Sequence, residues 1–241
     1  MLLAAKLALG PVLLPQAVWL RRTAPRLPEP PGPREGVAGQ GMRKLSLLVV
    51  GDSSAAGVGA ADQTQALALP LANELANRLD GAVAWQLIAQ TGVNTAQARA
   101  LLALTPLPEV DVVVTALGVN DVSSQIPAEE FVDETARLWS DLQQRSGARW
   151  AVLSGLPPMD MLTAVPHPLR WYLGRYASAL DVAVRDWTGR QGLGYCPLRW
   201  TRDPAFLAAD GFHPGPALYP QWAQRLADLV VQGRERWATA P

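Results

Sequence analysis

The chain has one cysteine, Cys196, and two histidines, His167 and His213, among 241 residues. A single cysteine closes no disulfide within the chain, so redox logic leaves the compartment open. So small a stock of thiol and imidazole also argues against a structural zinc site. Charge is sparse and balanced, with 21 acidic residues against 21 basic ones. No net field and no basic run beyond Arg21–Arg22 directs the chain to nucleic acid. No internal repeat is visible. The glycine-rich stretch Gly51–Gly59 is not followed by Gly-Lys-Ser/Thr and misses the dinucleotide spacing, which weakens a phosphate-binding reading. A G-x-S-x-G elbow is also missing, which disfavours an α/β-hydrolase fold.

What the chain does have is apolar content, 49% of its residues, enough for a sizeable core in one globular α/β domain with an extension. Residues 1–20, MLLAAKLALGPVLLPQAVWL, are almost wholly apolar, with Pro11 and Pro15 interrupting the run and Arg21–Arg22 following it. Apart from Lys6 the charge falls after the run, and no A-x-A pattern follows it, so a cleaved signal peptide is disfavoured. The length barely meets the requirement of a spanning helix. Residues 1–22 therefore read as an apolar helix packed on its own domain, on a second copy or partner chain, or on a membrane surface, with a true anchor as the alternative. The expected location is cytoplasmic, with membrane association through this helix left open. Residues 23–41, TAPRLPEPPGPREGVAGQG, have the composition of an extended linker. The main domain is expected over 42–241.

From there apolar runs and helical periods alternate. Strand-like runs fall at Leu45–Val50, Val83–Ala89, Asp111–Leu117, Trp150–Ser154 and Gly194–Leu198. Helical stretches are expected over Thr64–Leu79 with a kink at Pro70, from an Asn94 or Thr95 cap to Leu104, from Pro127 to about Arg145, over Leu169–Arg190 with a break at Gly174, and over Ala217–Arg234. This alternation implies a parallel sheet with helices on both faces, whose ligands bind beyond the carboxyl ends of the strands.

Chemistry is therefore sought just after each strand. Ser53 follows the first strand in Gly51-Asp52-Ser53. A serine hydroxyl needs a base to act as a nucleophile. His213 lies in Asp210-Gly211-Phe212-His213, where a carboxylate three residues earlier can fold back onto the imidazole and leave its other nitrogen free as a base. His167, between Pro166 and Pro168, reads as a surface or loop histidine. Oxyanion donors are available from the Ser53 N–H, from a backbone N–H at Gly92 and from the Asn120 side chain.

The blocks Gly51-Asp52-Ser53, Gly92, Gly118-Val119-Asn120-Asp121 and Asp210-Gly211-Phe212-His213, in this order, resemble the four sequence blocks of the SGNH hydrolases, the GDSL-type esterases and lipases. The likeness spans residues 45–232. One departure is Ser54, where the family name carries Leu. The resemblance implies a flavodoxin-like three-layer α/β/α sandwich with a five-stranded parallel sheet, no metal and no cofactor. It also implies Ser53 as nucleophile, His213 as base, Asp210 as its partner, and Ser53, Gly92 and Asn120 as the oxyanion hole.

Each residue also has a plainer role open to it. Ser53 suits a helix cap, Asp210 and His213 suit a capping pair, Asn120-Asp121 a strand-to-helix turn, and Gly92 a tight turn. Asp52 reads as a residue that holds its turn. Trp171, Tyr172 and Tyr176 either line an acyl pocket or simply pack. Residues 156–176 are expected to roof the site and to favour acyl chains over sugars. The expected activity is hydrolysis of short- to medium-chain carboxylic esters through an acyl-enzyme. Lysophospholipid, thioester and acetylated carbohydrate are alternatives on the same site, and a phosphate- or partner-binding module is the non-enzymatic one.

Overall fold

Apolar runs too short for helices form the strands here. In a computed structural model, which describes residues 2–238 and the side chains of residues 2–234, they assemble into one six-stranded sheet. In chain order the elements are α1 (Leu2–Thr23), β1 (Glu35–Ala38), β2 (Arg43–Gly51), α2 (Ser53–Ala56), α3 (Ala68–Leu79), β3 (Ala82–Ala89), α4 (Thr95–Ala103), β4 (Val112–Ala116), α5 (Val119–Ser123), α6 (Ala128–Ser146), β5 (Trp150–Ser154), α7 (Leu169–Arg190), β6 (Gly194–Cys196) and α8 (Leu218–Ala238). The sheet order is β1-β3-β2-β4-β5-β6. Strands β2 to β6 are parallel, as expected.

The side-chain period of two splits the core into two layers. From β2, Leu47 and Val49 face a cluster with Leu71 and Leu75 of α3 and Trp222 and Leu226 of α8. Leu48 and Val50 face the other way, toward Leu138 of α6 and Leu180 and Val184 of α7. The result is an α/β/α sandwich.

Several expectations are corrected. The segment 23–41 is not a free linker. It carries β1, which pairs antiparallel with β3 in the register Glu35↔Gln86 to Ala38↔Val83 and adds a sixth strand at the sheet edge. The helix expected from Thr64 begins instead at Ala68, after a single tight turn at Gln63–Gln65. Pro70 therefore sits in the first turn, where its missing N–H costs no hydrogen bond and no kink arises. Helix α7 runs unbroken through Gly174, whose bare Cα lets Asp160 approach: a Cβ there would lie 2.5 Å from the Asp160 Cβ. Helix α1 likewise runs through Pro11 and Pro15. Losing two backbone donors does not end it. It lies against α7, with Leu13 buried and with Leu2, Leu9 and Leu20 packed on the same core layer. The Gln16 side chain donates to the His167 carbonyl at 2.6 Å and accepts from Leu169 N at 3.1 Å.

Leu48 is fully buried in the central strand. Leu48→Ala is expected to lower unfolding free energy by about 2–5 kcal/mol in a urea titration, through lost burial plus the cavity left behind.

Candidate active site

Strand order reverses at β2. The chain first adds β3 on one side of it and then β4 on the other, so the ends of these three neighbours open a crevice at a topological switch point. Ser53 follows β2, Gly92 follows β3 and Asn120 follows β4.

Asp52 ends the strand turn as the cap of α2. Its Oδ1 accepts from Ser54 N at 2.9 Å and from Ser54 Oγ at 2.8 Å. This is the turn-holding role read from the sequence. Capping leaves Ser53 at the first position of α2, where its own N–H has no partner among the described residues. On the far side of the chain, Asp210 folds back over three residues. Its Oδ1 accepts from Phe212 N and His213 N, each at 3.0 Å, and its Oδ2 lies 2.6 Å from His213 Nδ1. The other ring nitrogen, Nε2, lies 3.1 Å from Ser53 Oγ. Ser53, His213 and Asp210 are thus brought together in one chain of hydrogen bonds.

Two contacts outside this set hold the halves together. The Tyr219 hydroxyl, at the start of α8, donates to the Val58 carbonyl at 2.7 Å. Gly59 has φ +98°, and a Cβ there would lie 2.1 Å from the Pro214 carbonyl oxygen. Only a glycine lets the loop after Ser53 touch the loop after His213 so closely. Sequence reading missed Tyr219, whose aromatic ring at helical spacing looks like any core residue.

The other two oxyanion candidates follow the neighbouring strands β3 and β4. Gly92 has φ +86°, open space around its Cα and an N–H without a partner among the described residues. Asn120 Nδ2 donates to the Val93 carbonyl at 2.9 Å, which orients the amide, and its second contact, with Asp52 Oδ2, is long at 3.4 Å. Asp121 braces the neighbouring helix by accepting from Thr95 N at 3.1 Å and from Thr95 Oγ1 at 3.0 Å.

The electrostatics of the carboxylates differ. Burial pushes the Asp52 carboxyl up to about 6, because two donors from Ser54 only partly offset it. Burial also raises Asp210, but the bonds from His213 and Phe212 outweigh it and hold that carboxyl below its ordinary value. Burial raises Asp121 as well.

Beside Ser53 and His213 lies a pocket walled by Leu117, Met159, Leu162, Phe206, Phe212 and Trp222. Pro157 and Pro158 also line it, so the start of the 156–176 segment does cover the site. Its aromatic residues do not. Tyr172 and Tyr176 bond Gln125 Oε1 and the Ile126 carbonyl, and Trp171 faces a separate surface hollow. His167 sits exposed in the loop before α7.

An open, mostly parallel sheet thus carries a hydroxyl–imidazole–carboxylate chain at its switch point. The family model described as GDSL-like Lipase/Acylhydrolase family matches residues 49–221. A curated protein named GDSL-like esterase Rv1075c, from Mycobacterium tuberculosis, is 26% identical over 236 residues, covering 86% of this chain and 72% of its own. Among solved structures, the psychrotrophic esterase EstA from Pseudoalteromonas sp. superimposes with TM-score 0.57 at 16% identity, over 79% of this chain and 98% of its own. The lipase Lip_vut3 from a goat rumen metagenome gives 0.61 at 15% identity, over 77% of this chain and 97% of its own. These two likenesses establish the shared fold. The chain belongs to the GDSL-like lipase/acylhydrolase family, and it is a serine-type carboxylic ester hydrolase.

The Asp52 shift has a sign that can be measured. Its folded value, about 6, lies above its ordinary 3.8, so the native state holds a proton that the unfolded state has already released. Stability from this group is therefore present at low pH and lost as pH rises from about 4 through 6, by at most about 3 kcal/mol. Asp52→Asn keeps a carbonyl acceptor for Ser54 and removes the titration. The stability of the variant relative to the parent should rise across that window in denaturant titrations; a gap independent of pH would count against the shift.

Proposed function

We propose that Ser53 is the nucleophile of this esterase, His213 its general base and acid, and Asp210 the group that orients the imidazole. The carrying observation is the 3.1 Å contact between Ser53 Oγ and His213 Nε2, backed by the 2.6 Å contact of Nδ1 with Asp210. In this reading His213 Nε2 takes the Ser53 proton as Oγ attacks the ester carbonyl. The tetrahedral oxyanion accepts hydrogen bonds from Ser53 N–H, Gly92 N–H and Asn120 Nδ2. His213 then protonates the departing alcohol. Water, losing its proton to the same nitrogen, attacks the acyl-enzyme and frees the acid.

The pocket favours short- to medium-chain acyl groups. Its walls are mostly aliphatic and aromatic, and among the described residues lining it the ionisable ones are Asp52 and His213, so it offers little to a sugar or a charged head group. A panel of p-nitrophenyl esters from acetate to palmitate, run beside an acetylated sugar, tests this. Activity confined to the sugar would overturn it. Ser53→Ala should abolish hydrolysis of the preferred ester, and Asn120→Ala should lower kcat by about 10²–10³. Retained turnover in Ser53→Ala would remove the nucleophile assignment.

A partner reading concerns α1. It meets the length and composition of a membrane span, yet its side facing away from α7 is an exposed apolar stripe of Leu3, Leu7, Leu14 and Val18. The helix carries Lys6, Arg21 and Arg22 and no acidic residue. That combination suits a helix lying on an anionic lipid surface. The full chain should sediment with phosphatidylglycerol vesicles, less with phosphatidylcholine, and should stay soluble as Leu7→Glu/Leu14→Glu. Equal sedimentation of the double variant would overturn the assignment.

A further inference from the structure

Gly92 is the least restrained of the three oxyanion donors. A glycine holds no conformation by itself, and a donor aimed at an oxyanion contributes only if it is fixed before the reaction. The fixing comes from a segment outside the family match, which begins at residue 49. Glu29 Oε1 accepts from Thr91 N at 2.7 Å and from Thr91 Oγ1 at 2.6 Å. Its other oxygen pairs with Arg34. Arg34 in turn donates from Nη1 to the Ala89 carbonyl at 2.7 Å, and its own carbonyl accepts from Leu87 N at 2.6 Å. The strand end and the loop that carries Gly92 are thus held at Leu87, Ala89 and Thr91 by one short stretch of chain.

We propose that Glu29, held by Arg34, is a positioning residue that sets the Gly92 N–H through Thr91. This rests on the reading of Gly92 as an oxyanion donor. A carboxylate bonded to a backbone N–H makes a charge-assisted hydrogen bond, stronger than a neutral one. With both the amide and the hydroxyl of Thr91 fixed, the Thr91–Gly92 peptide has one remaining hinge. Burial raises the Glu29 carboxyl, but the bonds from Thr91 and Arg34 outweigh it and keep it below its ordinary value, so the acceptor stays ionised near neutrality. The β1 strand that follows, paired along β3, anchors the whole brace to the sheet edge.

The test uses the full chain and a chromogenic ester. Glu29→Ala should lower kcat by about tenfold with KM within about twofold, because the loss falls on transition-state binding alone. It should slow phosphonylation of Ser53 by a p-nitrophenyl phosphonate in the same proportion, since that reaction also builds charge in the oxyanion hole. Glu29→Gln keeps an oxygen for both Thr91 donors and should recover most of the rate. In the double variant with Thr91→Val, the two losses should fall short of additive. The proposal fails if Glu29→Ala keeps its kcat, if KM alone rises, or if Glu29→Gln is no better than Glu29→Ala. Ser53→Ala, run alongside, separates the two readings: a dead Ser53→Ala with a fully active Glu29→Ala removes only the brace, and an active Ser53→Ala removes the site itself.

Discussion

The arrangement depends on one long-range contact, the 3.1 Å approach of Ser53 Oγ to His213 Nε2, between residues 160 positions apart. Neither side chain reaches it alone. Ser53 is presented by a four-residue helix capped by Asp52, and His213 by a loop that Asp210 folds over with both carboxylate oxygens. What brings these two local structures into register is backbone contact. The Gly59 Cα lies against the Pro214 carbonyl, and the Tyr219 hydroxyl ties α8 to Val58. A loop with a polar end is expensive to hold near a core unless its groups are paired. Here the contacts that pair the loops stand beside the bonds that assemble the site.

The sheet topology explains why other groups can join this contact. Three adjacent parallel strands, β3, β2 and β4, end on the same side of the sheet, and Gly92, Ser53 and Asn120 each follow one of them. The next strand delivers the apolar wall. Asp181 of α7 accepts from Leu156 N at 2.8 Å and from the Tyr195 hydroxyl at 2.5 Å, which fixes the turn after β5 where Pro157 and Pro158 enter the pocket lining. A buried carboxylate that does not itself line the pocket thereby fixes part of its wall.

The five parallel strands and most helices are legible from the sequence because each carries its own period and its own cap. Asn94, for example, closes a full capping box with Gln97. The four blocks are legible because each follows a strand or precedes the last helix. What escapes is whatever depends on a distant partner. Strand β1 has four residues and one buried side chain, so its pattern, exposed-exposed-exposed-buried, carries no signal without β3 beside it. Glu29 looks like one more polar residue in a proline-rich stretch until Thr91 is placed against it. The start of α3 also escapes, because Pro70 looks the same in a first turn as in a kink. Local chemistry decides the elements, and tertiary contact decides which polar residues matter.

The two buried acids of the site show how the same side chain is put to opposite uses. Asp210 receives three donors, one from the imidazole, and is kept ionised next to a ring that would gain positive charge on taking the Ser53 proton. Asp52 receives only the neutral Ser54 donors and the long contact from Asn120, and burial drives its carboxyl upward. Under the proposed roles, an oxyanion and an ionised Asp52 compete for the same Asn120 hydrogen. Burial that raises the Asp52 carboxyl to about 6 weakens that competition near and below this pH, where the carboxyl holds its proton. Burial acts on both carboxyls in the same direction, and the number and kind of donors each receives decides that Asp210 ends below its ordinary value and Asp52 above it.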